Sequence, residues 1–178
     1  MLTHANISEL NDCYDILDSG REFQKKQGFV QWDDEYPSLD LVKEDIEKQI
    51  GYVLKIDGKI AAYMAITFDI EPAYNEIEGA FRKNEKYCVV HRMAIHNDFR
   101  NQGLTTKIFN LVEELCKQKD VYYIRIDTDF PNKRMQHVFI KNGFKECGVI
   151  NFKGPKKAYD KILEKKQQKF VVLIFSFF

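Results

Sequence analysis

The stretch Arg92–Leu115, RMAIHNDFRNQGLTTKIFNLVEEL, decides the fold because it passes from an apolar strand through a glycine loop into an amphipathic helix. After the loop, leucine, isoleucine and valine recur on one stripe, which predicts a helix from about Gly103 to Lys119. Before the loop, the near-continuous apolar run of Lys86–Ile95 predicts a strand in the centre of a sheet. The pattern therefore predicts the first half of a β-α-β unit.

The loop ahead of this helix has the features of an anion site. Unpaired backbone N–H groups and the helix dipole both favour negative charge at a helix N-terminus. The first turn carries Thr105 and Thr106 and no acidic residue, so it would not repel a phosphate. Arg100 adds positive charge. The alternative is that Arg100 and Gln102 are ordinary solvated residues, since one glycine matches neither a P-loop nor a dinucleotide fingerprint.

Two helices are predicted ahead of the sheet. Apolar residues at helical spacing indicate the first over Ser8 to about Asp18, with its first residue as N-cap and Gly20 as its stop. The second is predicted from about Leu39 to Ile50, with Ser38 or Asp40 as its N-cap. A polar loop with several aromatic residues connects them.

The rest of the chain alternates strands and helices. The segment Tyr52–Ile70 predicts a β-hairpin because two β-rich runs are joined by Asp57 and Gly58. The other predicted elements are a strand at Val121–Thr128, a helix at Asn132–Gly143 and a strand at Phe144–Phe152. The order predicts an α/β fold with a mixed sheet, antiparallel first and then passing through a right-handed β-α-β crossover.

Composition limits the classes of function. The chain has 178 residues, with 27 basic and 27 acidic side chains, so its net charge does not favour nucleic acid or an anionic membrane as a partner. The four cysteines lack metal-ligand spacing, which argues against a zinc site and a disulfide framework and fits a reducing cytoplasm. The N-terminus lacks the pattern of a secretory signal. We therefore expect a cytoplasmic protein without a metal.

One domain is predicted over residues 1–165, because the length suits a single well-buried core. Residues 166–178 are an apolar extension of unknown role. Its run Phe170–Phe178 is shorter than a membrane span, and it fits a buried strand, a subunit contact in a homodimer or an aggregation-prone segment. The alternative is contact with a membrane interface, since basic residues precede the run.

The segment RMAIHNDFRNQGLTTKIFNLVEEL resembles the acetyl-coenzyme A motif of the GNAT superfamily of N-acetyltransferases, which is Arg/Gln-x-x-Gly-x-Gly/Ala after a strand. Arg100, Gly103 and Thr105 occupy the three marked positions. Further segments resemble the family at Phe29–Ser38, Glu85–Ile95 and Ile124–Ile150, so the similarity covers most of the chain. The resemblance implies the GNAT-like acyl-CoA N-acyltransferase fold, with antiparallel N-terminal strands, a central β-α-β crossover and splayed fourth and fifth strands.

The resemblance also implies how acetyl-coenzyme A binds. Main-chain groups of Met93 and Ile95 would pair with the pantetheine amides like an added strand, and the backbone of Asn101–Thr106 would hold the pyrophosphate. Thr105 departs from the family, so its side chain must point away from the pyrophosphate or donate its hydroxyl to it. The implied coenzyme-binding residues are Met93, Ile95, Arg100, Asn101, Gln102, Gly103, Thr105, Thr106 and Asn132.

Two residues are candidates for proton transfer. Asp127 lies where some family members carry a catalytic Glu, and is predicted to be the base or a ligand of the acceptor amine. His91 shares a strand face with Met93 and Ile95 by the period of two, and histidine is the residue type that ordinarily exchanges protons near neutrality. The alternatives are that Asp127 braces the following loop and that His91 is a satisfied core residue. Arg92, of opposite parity, is predicted to be structural or a salt-bridge partner.

The acid commonly used in the family is absent. Phe139 stands where many members carry a Tyr that protonates the leaving thiolate, and phenylalanine cannot donate a proton. That role is therefore shared with water, moved to another residue or unnecessary. Tyr36, Tyr122 and Tyr123 are candidate substitutes.

The acceptor side is predicted at the loop Phe29–Ser38, which the resemblance puts at the lip of the acceptor pocket. Trp32 and Tyr36 would shape the pocket, and the acidic residues beside them would attract a cationic amine. Glu78 is predicted near the same mouth. A solvated acidic loop is the alternative.

The leading hypothesis is an acetyl-coenzyme A-dependent N-acetyltransferase that acts on a primary amine of a small molecule or peptide, by direct transfer in a ternary complex. A second hypothesis, prompted by Phe139 and Thr105, is a catalytically degenerate acetyl-coenzyme A-binding regulatory module. A third is a hairpin-rich interaction domain without a small-molecule site.

Overall fold

The computed structural model describes residues 1–165, so the extension at residues 166–178, with its Phe170–Phe178 run, lies outside the described part of the chain. The strands are β1 (Leu2–His4), β2 (Gly51–Ile56), β3 (Lys59–Thr67), β4 (Glu78–Gly79), β5 (Cys88–Ile95), β6 (Tyr123–Asp129), β7 (Lys145–Asn151) and β8 (Pro155–Ile162). The helices are α1 (Leu10–Lys26), α2 (Leu39–Glu47), α3 (Leu104–Gln118) and α4 (Lys133–Lys141). The strands form one mixed sheet in the order β1-β2-β3-β5-β6-β8-β7-β4, which confirms the predicted fold class.

The predicted hairpin is β2–β3. Its turn residues Asp57 and Gly58 have φ angles of 49° and 77°, the left-handed geometry that a two-residue Asp-Gly turn requires. β1 pairs antiparallel with the outer side of β2, and β5 pairs antiparallel with β3. These four strands are the predicted antiparallel N-terminal part of the sheet.

The chain then crosses from β5 through α3 to the parallel strand β6. The predicted apolar stripe of α3 is buried against the sheet. β5 and β6 pair only through Cys88 with Ile124 and Val89 with Arg125. Beyond these pairs the two strands share no ladder. They are therefore splayed, as the resemblance implies for the two strands that the crossover helix connects, which the family counts as its fourth and fifth.

α1 is longer than predicted, because Gly20 lies inside the helix instead of ending it. A Cβ at Gly20 would lie 2.9 Å from a Trp32 ring carbon and 3.4 Å from the Cβ of Ala94. Glycine therefore lets the indole pack directly on the helix. Ser8 is also not the N-cap of this helix, since it lies in a preceding 3-10 turn capped by Asn6.

α2 begins and ends near its predicted bounds. Ser38, not Asp40, is its N-cap, and its hydroxyl accepts a hydrogen bond from the Leu41 N–H at 3.2 Å. The helix ends at Glu47, before the predicted Ile50, because the chain then turns through a left-handed residue into β2.

Within residues 1–165 the buried apolar side chains form three clusters: a small one around Tyr74, Tyr87 and Tyr123, and two larger ones on opposite faces of the sheet. Of the two larger clusters, one contains α3 and α4, and the other contains α1, α2 and Trp32. Since β5 and β6 separate between these layers, the middle of the sheet is open at this point.

Candidate active site

The splayed ends of β5 and β6 border two adjoining cavities. The first, called here the His91 cavity, lies between the two strands, the α1–α2 loop and the turn between β7 and β8. The second, called the Arg100 cavity, extends towards the N-terminus of α3. Both cavities are lined by Gln24, Trp32, Met93, Asn132 and Met135. A ligand in one cavity can therefore reach a ligand in the other.

A β-bulge in β5 changes the predicted orientation of its side chains. The pairing with β3 shifts by one residue between His91 and Ala94, and Arg92 there has a φ of 52°. His91 and Ala94 consequently lie on one face, so the prediction that His91 shares a face with Met93 and Ile95 is wrong. The extra residue breaks the period of two.

His91 is held by a carboxylate that the sequence did not single out. Its Nε2 lies 3.3 Å from a carboxylate oxygen of Glu71, and its ring stacks on Phe152 with centroids 6.1 Å apart. The hydrogen bond from His91 lowers the pKa of the Glu71 carboxyl. An imidazole oriented by a carboxylate is a common arrangement for a general base.

Asp127 lines the same cavity from β6. Its Oδ2 accepts a hydrogen bond from the Tyr74 hydroxyl at 2.8 Å. Burial raises the pKa of the Asp127 carboxyl, and the neighbouring His91, the hydrogen bond from Tyr74 and the nearby Lys156 oppose that rise. Both of these basic groups pair with other carboxylates, and no basic side chain within residues 1–165 forms an ion pair with Asp127. The cavity thus holds one carboxylate without a paired cation.

Arg92 forms the predicted salt bridge. Its Nε and Nη2 donate to the two carboxylate oxygens of Asp45 at 3.0 and 2.7 Å, and the two side chains are 9% and 3% exposed. The Tyr63 hydroxyl donates to the same carboxylate at 2.9 Å. Arg92 Nη1 also donates to the Tyr36 hydroxyl oxygen at 3.3 Å. Arg92 therefore connects β5 to α2 and to the α1–α2 loop.

The candidate acids occupy different surroundings. Phe139 is buried against three aromatic rings and also lines the His91 cavity. The Tyr123 hydroxyl donates to Asp160 outside the cavity, and Tyr122 does not line it. Among the three tyrosines named from the sequence, only Tyr36 lines the His91 cavity.

The loop ahead of α3 leaves its backbone accessible. Gly103 is the N-cap with a φ of 73°, and no atom lies within 4 Å of the position its Cβ would take. The Arg100 guanidinium is partly committed to the fold, since it donates to the Ile95 carbonyl at 3.1 Å and the Ser19 carbonyl at 3.0 Å. Arg100 still lines the second cavity. Burial, together with the charge of Arg134, lowers its pKa.

The other predicted loop residues divide into two groups. Thr105, Thr106 and Asn101 border a groove at the start of α3, and Asn101 accepts a hydrogen bond from Arg134 at 2.9 Å. Gln102 borders neither the groove nor either cavity, because its amide donates to a backbone carbonyl of the preceding turn. The structure therefore does not bring the Gln102 side chain to this site.

Met93 and Ile95 lie where β5 has no ladder partner towards β6. The His96 N–H donates to β3. Alternate residues of a strand direct their N–H groups to opposite sides, so the Ile95 N–H faces the opening. The Ile95 carbonyl, however, already accepts from Arg100.

Asn132 is the N-cap of α4, where its Oδ1 accepts from the Met135 N–H at 3.0 Å. Its Nδ2 donates to Gln31 Oε1 at 2.7 Å, and the Thr128 hydroxyl donates to the same oxygen at 3.1 Å. Gln31 therefore links the α1–α2 loop to the far side of the opening. Asn132 lines both cavities, as its predicted role requires.

On the predicted acceptor side, Trp32 and Tyr36 line the His91 cavity but Glu78 does not. Glu78 is exposed in the edge strand β4, where it pairs with Val149. The prediction that Glu78 lies at the mouth is therefore wrong, because this segment pairs with β7 at the edge of the sheet. Glu71, from the start of the same segment, reaches the site instead through His91.

Three residues of the site were missed from the sequence: Glu71, Tyr74 and Gln31. Each acts through a partner distant in the chain, such as the Tyr74 hydroxyl with Asp127, and no local pattern marks such pairs. The sequence signal that could have indicated Glu71 and Tyr74 is the aromatic and acidic content of Glu71–Phe81.

Within residues 1–165, no group of three or more His, Cys, Asp or Glu side chains is arranged to hold a metal ion. No helix in the same part of the chain is long and apolar enough to cross a membrane.

Comparisons with known proteins show similarity in sequence and in fold. The model of the acetyltransferase (GNAT) family matches residues 11–144. A GNAT family acetyltransferase from Streptococcus agalactiae is 32% identical with a TM-score of 0.86, over 93% of this chain and 96% of that one. A GNAT family acetyltransferase from Listeria monocytogenes is 19% identical with a TM-score of 0.74, over 92% of this chain and 94% of that one.

The aminoglycoside acetyltransferase AAC(6′)-Ib, solved in complex with coenzyme A and kanamycin, shares the fold. It is 20% identical with a TM-score of 0.65, over 91% of this chain and 94% of that one. No curated protein sequence matches the chain.

Proposed function

The chain belongs to the acetyltransferase (GNAT) family, and we propose that it transfers the acetyl group of acetyl-coenzyme A directly to a primary amine of a small molecule or peptide. The transfer takes place in a ternary complex of protein, coenzyme and acceptor. The observation that carries the amine part of this proposal is the Asp127 carboxylate, which lines the His91 cavity without an ion-pair partner in residues 1–165.

A protonated amine of the acceptor would give the Asp127 carboxylate an ion-pair partner. Burial raises the pKa of Asp127, which means that the ionised form is costly in the protein alone. A cationic acceptor beside the carboxylate offsets that cost, whereas an anionic acceptor increases it. The cavity therefore favours an amine that arrives as an ammonium ion.

The coenzyme is assigned to the Arg100 cavity and the groove at the start of α3. The exposed backbone around Gly103 offers N–H groups to the pyrophosphate, and Arg134 and Lys141 add positive charge along the groove. Pantetheine then runs beside Met93 and Ile95 towards the His91 cavity. AAC(6′)-Ib, which has the same fold, was solved in complex with coenzyme A, which supports coenzyme binding by a protein of this fold.

The acceptor amine must lose a proton before it attacks the thioester. We assign that step to His91, which Glu71 orients, and we assign binding of the ammonium to Asp127. Asp127 is the alternative base, because its raised pKa lies nearer to neutrality than that of an ordinary carboxyl. The two assignments predict different kinetic effects of substitution. Loss of the His91 side chain should lower kcat, whereas loss of the Asp127 carboxylate should raise the KM for the amine if Asp127 only binds the ammonium.

The degenerate-module hypothesis is the second candidate, and Phe139 at the usual acid position favours it. Release of free thiol from acetyl-coenzyme A, measured across a panel of amines, separates the two. We expect at least one amine to be acetylated, with the product identified by mass spectrometry. Thermal stabilisation by acetyl-coenzyme A without turnover on any amine would favour the degenerate module, and the absence of stabilisation would contradict both.

Variants then test the roles of the cavity residues. Asp127→Asn and His91→Gln are each expected to lower kcat/KM for the amine by roughly 100-fold or more. Coenzyme binding, measured by calorimetry, should be unchanged in both. Glu78→Gln is the matched control, since that carboxylate lies outside the cavity and should leave kcat/KM unaltered. Wild-type kcat/KM in Asp127→Asn would remove Asp127 from the mechanism.

A further inference from the structure

The α1–α2 loop contributes a tyrosine, Tyr36, to the lining of the His91 cavity. The Tyr36 hydroxyl oxygen accepts a hydrogen bond from Arg92 Nη1 at 3.3 Å, which leaves the hydroxyl proton free for another partner. Within residues 1–165, no hydrogen bond has the Tyr36 hydroxyl as its donor. Its proton is therefore available to a ligand in the cavity.

Tyr36 is also held in place by contacts to its hydroxyl and to its ring. Arg92, its hydrogen-bond donor, is fixed by two hydrogen bonds to Asp45. The Tyr36 ring packs edge-on against Phe152 with centroids 6.4 Å apart, and the Lys153 ammonium lies 4.1 Å from the ring centroid. Because both its hydroxyl and its ring are in contact with neighbouring side chains, the Tyr36 side chain has little freedom to move, which favours proton transfer from one fixed position.

The position where the family commonly has its acid cannot supply this proton. Phe139 lines the same cavity with an aromatic ring and no hydroxyl. Tyr123 and Tyr122 do not reach the cavity, as described above. Tyr36 thus remains as the cavity-lining tyrosine among the candidates.

Resting on the function proposed above, we propose that Tyr36 is the catalytic acid that protonates the coenzyme A thiolate, in the place of the tyrosine that Phe139 replaces. The amine nitrogen forms a bond to the acetyl carbon, and the carbon–sulfur bond breaks with its electron pair passing to sulfur. The Tyr36 hydroxyl proton moves to that sulfur and gives the free thiol. The tyrosinate is stabilised by the Arg92 guanidinium and regains a proton from solvent. The nitrogen loses two protons in all: His91 takes the first from the ammonium before the attack and releases it to solvent. His91 then takes the second from the nitrogen once the bond to the acetyl carbon has formed, which leaves the neutral amide.

This role makes Arg92 a positioning residue for the acid. A guanidinium that donates to the tyrosine oxygen favours the anion formed after transfer. Burial raises the pKa of the Tyr36 hydroxyl and the nearby Arg92 charge opposes that rise, so the proton stays on tyrosine at neutral pH until the thiolate forms.

The test compares the pH profile of kcat in wild type and Tyr36 variants, using an amine that the wild-type protein acetylates. Tyr36→Phe is expected to lower kcat by roughly 100-fold or more and to remove the basic limb of the profile. The Kd of coenzyme A should not change. Tyr122→Phe, which alters a tyrosine outside the cavity, is the matched control and should keep the wild-type kcat and profile.

A second replacement keeps the test independent of folding. Incorporation of 3,5-difluorotyrosine at position 36 preserves the ring and makes the hydroxyl more acidic, so the basic limb should move to lower pH. In the double variant Tyr36→Phe with Phe139→Tyr, a hydroxyl returns to the usual family position, and partial recovery of kcat is expected.

The outcomes separate this inference from the proposed function. Acetylation of an amine by the wild-type protein tests the proposed acetyltransferase function. With turnover present, a Tyr36→Phe variant that keeps more than half of the wild-type kcat overturns the assignment of the acid. A basic limb that stays in place with difluorotyrosine overturns it as well.

Discussion

Removal of the Arg92 side-chain charge is the perturbation whose cost follows most directly from the contacts. Arg92→Met keeps an unbranched side chain of similar length but deletes the two hydrogen bonds to Asp45. The Asp45 carboxylate, 3% exposed, then retains the Tyr63 hydroxyl as its remaining side-chain donor. Its charge is buried and uncompensated.

The expected loss in the free energy of unfolding is about 3–5 kcal/mol, the range for breaking a buried pair by removing one partner. For a chain of this size each kcal/mol corresponds to about 2–4 °C, so the melting temperature should fall by roughly 6–20 °C. Urea unfolding followed by circular dichroism measures the free energy, and thermal unfolding measures the temperature.

Two controls make this result interpretable. The double variant Arg92→Met with Asp45→Asn should lose less than the single variant, because no unpaired charge is left in the protein. Lys48→Met breaks an exposed ion pair with Glu44, which solvent screens, and should leave the melting temperature almost unchanged. An Arg92→Met loss as small as that of Lys48→Met, or a double variant as unstable as the single one, would refute the reasoning.

Three further predictions concern the walls of the opening. Asp127→Asn should stabilise the protein in the absence of ligands, because the raised pKa of the carboxyl means that wild-type stability falls as pH rises through the folded pKa. The unfolding free energies of the variant and the wild type should therefore diverge above about pH 4 and converge in acid. A variant that is less stable than the wild type at pH 7 would instead make Asp127 a structural brace. Gly20→Ala gains about 1 kcal/mol of helix propensity but places a Cβ 2.9 Å from a Trp32 ring carbon, so we expect a net loss of up to about 2 kcal/mol in the free energy of unfolding. Displacement of the ring should also weaken coenzyme binding measured by calorimetry, and unchanged binding would show that the ring does not move. Phe139→Tyr should cost less than about 1 kcal/mol in urea unfolding because the ring borders the cavity, and a loss near 3 kcal/mol would show a dry, closed site around the new hydroxyl.

Local patterns predicted the elements that local physics controls. Asp57 and Gly58 specified the hairpin because their left-handed geometry is a property of the turn itself. The helical stripe after Gly103 specified α3, and the resemblance to the family indicated the splayed strands that follow from the crossover. The same reasoning failed at Gly20, where contact with Trp32 across the fold, and not helix termination, explains the glycine.

The site was predicted less completely than the fold, because its geometry depends on long-range pairing. One extra residue at Arg92 reversed the face expected for His91, and a strand periodicity cannot show a bulge that depends on the register with β3. Tyr74 lies 53 positions from Asp127 in the sequence, so no local pattern predicts the hydrogen bond between them. Residue types indicated the loop Phe29–Ser38, whose Trp32 and Tyr36 line the His91 cavity, while the long-range partners required the structure.

A crystal structure with coenzyme A bound tests the central claim most directly, which is that the opening between β5 and β6 holds the coenzyme and delivers its acetyl group to the His91 cavity. We predict pantetheine beside Met93 and Ile95, the pyrophosphate on the backbone of Asn101–Thr106, and the sulfur facing His91 and Asp127. Coenzyme bound at another surface, or a sulfur directed away from the His91 cavity, would contradict the account.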